Sequence, residues 1–228
     1  MRPVSAVPNA TVLIREALAG TGVELVASCG AEAYDAAAPP AYRSGVWLPG
    51  ARGLIVAGSA GPALWRRFRE DMGGERAKWD QPHPLDRFVS AILARGDAAL
   101  EGAGVRLRRF EAAFHANPRV DFVAMARLVG LGRPGPFGML IHPEYGAWWA
   151  LRGAWLVDAE VDPPLAIRPP CDGCPAPCVG GWSHAGAAAT VEVRSRCVVG
   201  QEARYDEEQI AYHYDRAATV ARLRGGAD

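Results

Sequence analysis

The chain predicts an α+β protein, an antiparallel sheet with helices packed on it. Three observations carry that expectation. Helical patterns alternate with at least five apolar runs of strand length. The alternation lacks the regular spacing of βαβ units. No glycine fingerprint of the dinucleotide-binding kind follows any of the strands. Half of the 228 residues are apolar, enough to build a core without disulfide or metal staples.

The elements follow in order. Asn9 or Thr11 caps a first helix that runs to about residue 19 and stops at Gly20 and Gly22. Residues 23–28 read as a strand, and the Ala/Pro/Tyr-rich stretch 31–49 as a surface excursion. Residues 53–57, GLIVA, suit a buried strand. The GSAG run at 58–61 follows; such a loop can bind phosphate through backbone N–H groups, but without a P-loop lysine it reads as a strand-to-helix turn. Pro62 opens a helix over 63–72 with Arg66, Arg67 and Arg69 outward, and 73–81 is a loop. In 84–100 Leu85, Phe88, Val89, Ile92 and Leu93 recur at helical spacing. VRLRRF at 105–110 alternates like a strand, 120–128 is helical, and GLGRPGPFG is a loop. Residues 163–182 are rich in Pro, Gly and Cys and lie off the regular scaffold. A closing helix spans 205–223, with Asp206 and Glu207 favourable in its first turn.

Charge and composition exclude several classes. Twenty-five basic residues balance 25 acidic ones, which disfavours nucleic acid as a partner. Lys78 is the only lysine; the rest are arginines, which also suit small anionic ligands. No apolar run of about 18 residues offers a membrane span. The start, MRPVSAVPNATV, lacks the long apolar stretch of a signal peptide. These features, with five cysteines unlike a secreted disulfide frame, point to the cytoplasm. No G-x-S-x-G elbow supports a hydrolase triad, and His83, His115 and His213 have no partner at telling spacing.

Residues 138–157, GMLIHPEYGAWWALRGAWLV, are the most informative stretch. They read as two short apolar strands joined by a polar turn carrying His142, Pro143, Glu144 and Tyr145, then Trp148, Trp149 and Arg152. Adjacent aromatics beside a histidine and an arginine suit the face of a large flat cofactor. The competing reading is a hairpin whose tryptophans pack under a helix. The second cluster is Cys171, Cys174 and Cys178, spaced C-x2-C-x3-C, with Cys197 or His184 as a distant fourth ligand. Such spacing fits zinc or a [4Fe–4S] cluster, or a cluster loop that no longer binds anything. Cys29 reads as a small buried residue.

IHPEYGAWWALRGAWLV resembles the strand pair of cobalamin-processing proteins of the CblC type, which remove the upper ligand of vitamin B12. HPLDRFVSAILARGDAAL, LPGARGLIVAGSAGPALWRRF and RCVVGQEARYDEEQIAYH are similar to further segments of that family, so the resemblance spans about residues 45–223. The same strand pair is similar to the corrinoid-binding domain of epoxyqueuosine reductases and reductive dehalogenases. PPCDGCPAPC and Cys197 fall where those enzymes carry a two-cluster ferredoxin module, here shortened to hold at most one four-cysteine cluster.

The resemblance implies a modified flavin-nitroreductase-like sandwich. It implies cobalamin against Gly138, Met139, Leu140, Ile141 and His142, with Trp148 and Trp149 near the pocket wall. Arg127 stands where the family places a histidine. Arg152 and Arg196, and Arg222 if two residues are inserted, match arginines that hold glutathione, whose thiolate attacks the alkyl group on cobalt. The implied organisation is a corrinoid-binding body at 1–162, a Cys-rich insert at 163–200 and a C-terminal helix at 201–228. The implied function is reductive removal of the upper axial ligand, by decyanation or dealkylation, in a cyanocobalamin reductase or alkylcobalamin dealkylase. Its partners are a corrinoid and a thiol or reductase, and a homodimer is allowed. The competing functions are an iron–sulfur or zinc redox protein of the epoxyqueuosine-reductase type, an FMN-dependent reductase, and a corrinoid carrier without catalysis.

Overall fold

A computed structural model describes residues 9–73, 75–113, 118, 120–166, 170–178 and 186–225. His115 and His184 lie outside the described residues. The elements are α1 (Ala10–Leu18), β1 (Leu25–Gly30), α2 (Ala31–Ala37), α3 (Ser44–Trp47), β2 (Gly53–Ala60), α4 (Ala63–Met72), α5 (Arg76–Trp79), α6 (Pro84–Gly102), β3 (Leu107–Glu111), α7 (Phe122–Leu128), β4 (Arg133–Pro134), β5 (Leu140–Ile141), β6 (Trp149–Val157), α8 (Gly186–Ser195), α9 (Glu207–Tyr214) and α10 (Arg216–Gly225). Two short 3-10 turns at Pro40–Tyr42 and Gln201–Ala203 complete them.

Four strands form an antiparallel sheet in the order β1-β2-β6-β3, with helices packed on it, as the α+β expectation required. β1 pairs with β2 from Leu25 opposite Gly58 to Gly30 opposite Gly53. β3 pairs with β6 from Leu107 opposite Val157 to Glu111 opposite Gly153. The β2–β6 seam is carried on by Arg52 N–H, which donates to the Val157 carbonyl at 2.8 Å. Among the described residues no helix is long and apolar enough to cross a membrane.

The structure corrects four local readings. The two strands of 138–157 are not paired with each other: β5 pairs with β4 in a separate two-stranded sheet, and β6 joins the main sheet. Alternation along a segment shows which face is buried but not which strand lies beside it. The stretch 31–49 is partly helical. Its alanines favour helix, Tyr34 is buried, and Asp35 accepts the N–H and hydroxyl of Ser44 at 2.6 and 2.8 Å. A four-residue helix, α5, interrupts the expected loop at 73–81. The closing helix breaks at Asp215, whose N–H ends α9 on the Ala211 carbonyl and whose carboxylate accepts the Ala218 N–H at the start of α10.

The chain forms two compact units: Met1–Gly58 with Val89–Leu131 and Leu151–Ile167, and Ser59–Phe88 with Gly132–Ala150 and Arg168–Asp228. In the first, Ile14, Leu18, Leu54, Ile55, Leu93, Leu100 and Trp155 are fully buried. Gly96 in α6 shows how tightly they pack. A Cβ there would sit 2.8 Å from Ile14 Cδ1 and 3.1 Å from the Trp155 ring, so the helix accepts a glycine at a cost of about 1 kcal/mol. Asp97 on the same helix accepts from Trp155 Nε1 and from Arg109, both at 2.7 Å, and Arg109 also pairs with Glu111. A closed ring of bonds joins Thr11 and Ser28 hydroxyls with the Asp162 backbone at 2.8–3.0 Å.

In the second unit, α4 lays Trp65 and Phe68 against Tyr212 of α9 at ring distances of 4.9 and 5.9 Å, with Trp79 and Phe88 closing on Phe68. Glu208 accepts from Trp65 Nε1 and pairs with Arg69. The GSAG run is the end of β2, and Gly61, at φ +57°, makes the turn into α4. Its N–H is taken by the Trp148 carbonyl at 2.9 Å.

Candidate functional site

The informative turn lies in the second unit. Residues 133–141 fold back on themselves through a turn over Gly135–Gly138, in which Gly138 N–H donates to the Gly135 carbonyl and Gly135 N–H to the Met139 carbonyl. Pro136 presets the bend, and Gly138 completes it at φ +80°. Space beside Gly138 is open: a Cβ there would meet nothing within 4 Å. Met139 and Leu140 are half-buried, and Ile141 is buried.

A second turn follows, closed by reciprocal backbone bonds between His142 and Gly146 at 2.8 and 3.0 Å. Gly146 takes φ +55°, and a side chain there would collide with the Val199 carbonyl. His142 is 7 % exposed. Its Nδ1 accepts the N–H groups of Glu144 and Tyr145 at 3.1 and 3.2 Å. Its ring lies 4.8 Å from that of Tyr145 and 5.6 Å, edge-on, from that of Trp149. Burial pushes its pKa down to about 4 against the opposing pull of the Glu144 carboxylate.

The tryptophans brace this turn from within. Trp149 donates its indole N–H to the Leu140 carbonyl at 3.0 Å. Trp148 is fully buried and stands edge-on to Tyr205 at 5.4 Å. Arg194, absent from the sequence reading, completes the packing. Its guanidinium lies 4.5 Å from the Trp148 ring and 4.9 Å from that of Tyr205. It donates to the Ala147 carbonyl at 2.6 Å and the Tyr214 hydroxyl at 3.2 Å. It is 5 % exposed and forms no ion pair with a carboxylate among the described residues. The missing signal was α8: the Cys/Pro/Gly composition around it hid a helix that turns Val193 and Arg194 inward.

The other arginines that the resemblance singles out are placed as follows. Arg196 pairs with Glu192 across one turn. Arg222 is exposed on α10. Arg152, half-buried on β6, and Arg127, exposed in the last turn of α7, belong to the first unit. That unit also holds a cleft of about 260 Å³ lined by Tyr34, Pro39, Tyr42, Asp121 and Leu128. It falls below the range of about 300–1,000 Å³ usual for organic-ligand sites.

The cysteines converge on the turn. Cys178 and Cys197 are buried in one apolar cluster with Phe137, Ile141, Ala147 and Val193, and Cys171 and Met139 pack against it. Cys174 Sγ accepts the Ala176 N–H at 3.4 Å. Burial raises the Cys171 pKa, and the charges of Cys197, Cys174 and Cys178 raise it further, so the four sulfurs are electrostatic neighbours. Gathering stops short of a coordination shell: among the described residues no three His, Cys, Asp or Glu side chains are arranged to hold a metal ion. Cys29 is buried, and desolvation lifts its pKa to about 11, which leaves it inert.

No protein-family model and no curated protein matches the chain. Solved structures do. The B12-trafficking protein CblC of C. elegans, a human MMACHC homologue, superposes with a TM-score of 0.67 at 13 % identity over 94 % of each chain. The epoxyqueuosine reductase of Streptococcus thermophilus matches at 0.53 and 15 % identity, over 75 % of this chain and 51 % of that one. That of Bacillus subtilis matches at 0.51 and 17 % identity, over 76 % and 52 %. The chain therefore spans about half the length of the reductases, and it carries, over nearly its whole length, the fold of the B12-trafficking protein CblC.

Proposed function

We propose that this chain binds a corrinoid at the turn around Gly138–His142 and removes its upper axial ligand. The observation that carries the reading is the likeness to a B12-trafficking protein over 94 % of both chains, combined with open space beside Gly138 where the family resemblance puts the corrin ring. Gly138, Met139, Leu140 and Ile141 would offer a backbone edge to the ring, with His142 on the turn that follows. Trp148 and Trp149 would act as braces of that edge. Decyanation and dealkylation both expose cobalt. In the thiol-dependent form, a thiolate forms a carbon–sulfur bond to the alkyl group as the cobalt–carbon bond breaks, and the electron pair of that bond stays with cobalt. Holding thiol and cobalt–carbon bond together is a matter of proximity and orientation. Glutathione is the proposed thiol, Arg152, Arg196 and Arg222 its proposed carboxylate partners, and the cytoplasm the proposed setting.

Titration with cobalamin, followed by its visible spectrum, tests binding. A shifted spectrum is expected, and an unchanged one at high protein concentration overturns the reading. Gly138→Asp is expected to abolish the shift, because a carboxylate would enter the open space. Turnover with glutathione separates an enzyme from a carrier. Protein purified yellow with bound FMN and silent to cobalamin would point to a flavin reductase instead.

A second reading rests on the cysteines. Cys171, Cys174, Cys178 and Cys197 are neighbours although the last lies 26 positions after the first. We propose zinc or a [4Fe–4S] cluster as the occupant, with the sulfurs drawing together around it. Metal and sulfide analysis of anaerobically purified protein decides it; metal-free protein overturns it.

A further inference from the structure

We infer that His142 is a neutral hydrogen-bond donor, locked by its own turn with the proton on Nε2, that faces an oxygen acceptor of the bound ligand and never coordinates a metal. For the identity of the ligand this rests on the corrinoid reading; the tautomer does not.

Nδ1 receives two backbone N–H groups, from Glu144 at 3.1 Å and Tyr145 at 3.2 Å. A nitrogen that accepts hydrogen bonds carries no proton, so the single proton of a neutral imidazole must sit on Nε2. An Nε2 that holds a proton has no lone pair for a metal. Coordination through Nε2 would require an imidazolate. Coordination through Nδ1 would strip the two N–H groups of their acceptor inside a turn closed by the His142–Gly146 bridge. A flipped ring would put Cδ2 where Nδ1 stands and leave the Glu144 and Tyr145 N–H groups without that acceptor. Burial keeps the ring uncharged at neutral pH. What remains is a rigid N–H dipole on the turn that follows the open edge at Gly138. Corrinoids carry amide side chains around the ring, and their carbonyl oxygens are acceptors of the required kind.

Two measurements test this. The first uses the unliganded wild-type chain labelled with 15N-histidine. Long-range proton–nitrogen correlations are expected to give His142 one protonated and one bare nitrogen, with the proton on Nε2. The signal is assigned by its loss in His142→Gln. A proton on Nδ1, or a doubly protonated ring at pH 7, overturns the inference without reference to cobalamin. The second adds cob(II)alamin and records its electron paramagnetic resonance with 14N- and 15N-histidine protein. Identical spectra are expected, whereas an isotope-dependent splitting would show a histidine bound to cobalt and overturn it. His142→Gln, which keeps an N–H near the Nε2 position, is expected to bind cobalamin within about threefold of wild type. His142→Ala is expected to bind about tenfold more weakly, and equal binding by His142→Ala removes the ligand contact. If the first measurement gives the expected tautomer and cobalamin leaves every spectrum unchanged, the corrinoid reading has failed and the tautomer stands.

Discussion

Arg194 offers the sharpest test of how the turn is held. Replacing it by alanine removes two hydrogen bonds from a charged donor, each worth about 1.5–3 kcal/mol. It also removes cation–π contacts with Trp148 and Tyr205, about 1–2 kcal/mol together. Against this stands relief from burying a guanidinium that has no described carboxylate partner, a penalty of several kcal/mol. The alanine variant leaves the Ala147 carbonyl without its donor and a void where the arm lay, and the net expected loss is about 3 kcal/mol. Arg194→Met keeps the arm's volume against the rings and also relieves the buried charge, so it is expected to cost only about 1 kcal/mol. Arg194→Lys can reach one acceptor but not both, and should fall between. Urea unfolding followed by circular dichroism, with m unchanged, reads all three. An alanine variant within about 1 kcal/mol of wild type would refute the brace. A methionine variant as unstable as alanine would refute the share assigned to packing.

Three other outcomes follow from single residues. Gly146→Ala drives a methyl group into the Val199 carbonyl at a backbone angle that L-residues avoid, and is expected to lower stability by at least about 3 kcal/mol by thermal melting. On acidification the unfolded His142 takes up its proton near 6.5 while the folded ring resists until about 4, so the unfolded state binds the proton first. Stability should therefore fall between pH 6.5 and 4, by up to about 3 kcal/mol, and His142→Gln should flatten that slope in urea titrations. At pH 8 only about one Cys29 thiol in a thousand is ionised, so iodoacetamide should label half-exposed Cys174 in native protein and leave Cys29 bare by mass spectrometry.

What the sequence made legible is local. α4 runs from Ala63 to Met72 as expected because Leu64, Trp65, Phe68 and Met72 recur on one side and Gly73 ends it. α1 and α7 start where Asn9 and Asp121 accept the free N–H groups of their first turns. What was not legible depends on partners distant in the chain. The run 138–157 looks like a hairpin because two apolar stretches flank a polar turn, but β5 finds Arg133 and Pro134 rather than β6. β6 is long and apolar enough for a central place between β2 and β3. The helical character of 31–37 was hidden by the prolines that follow it, although alanine-rich sequence at a strand end is helix-compatible on propensity alone.

The arginines show why a site is harder to read than a fold. Arg194 and Arg196 are two residues apart, and two residues on a helix are about 200° of rotation. Arg196 still donates its N–H to the Glu192 carbonyl, so the helical turn continues through it. One side chain therefore lies against Trp148 and Tyr205, and the other pairs with Glu192. A motif compared by residue type matches either arginine, because type is preserved under a two-residue shift while facing is inverted. The match of Arg222 depends on an insertion of two residues, and Arg222 is exposed. His142 had no such ambiguity. Its role is set by the two backbone N–H groups that immediately follow it, so a reading of IHPEYG alone already contains both the ring and the atoms that fix its proton.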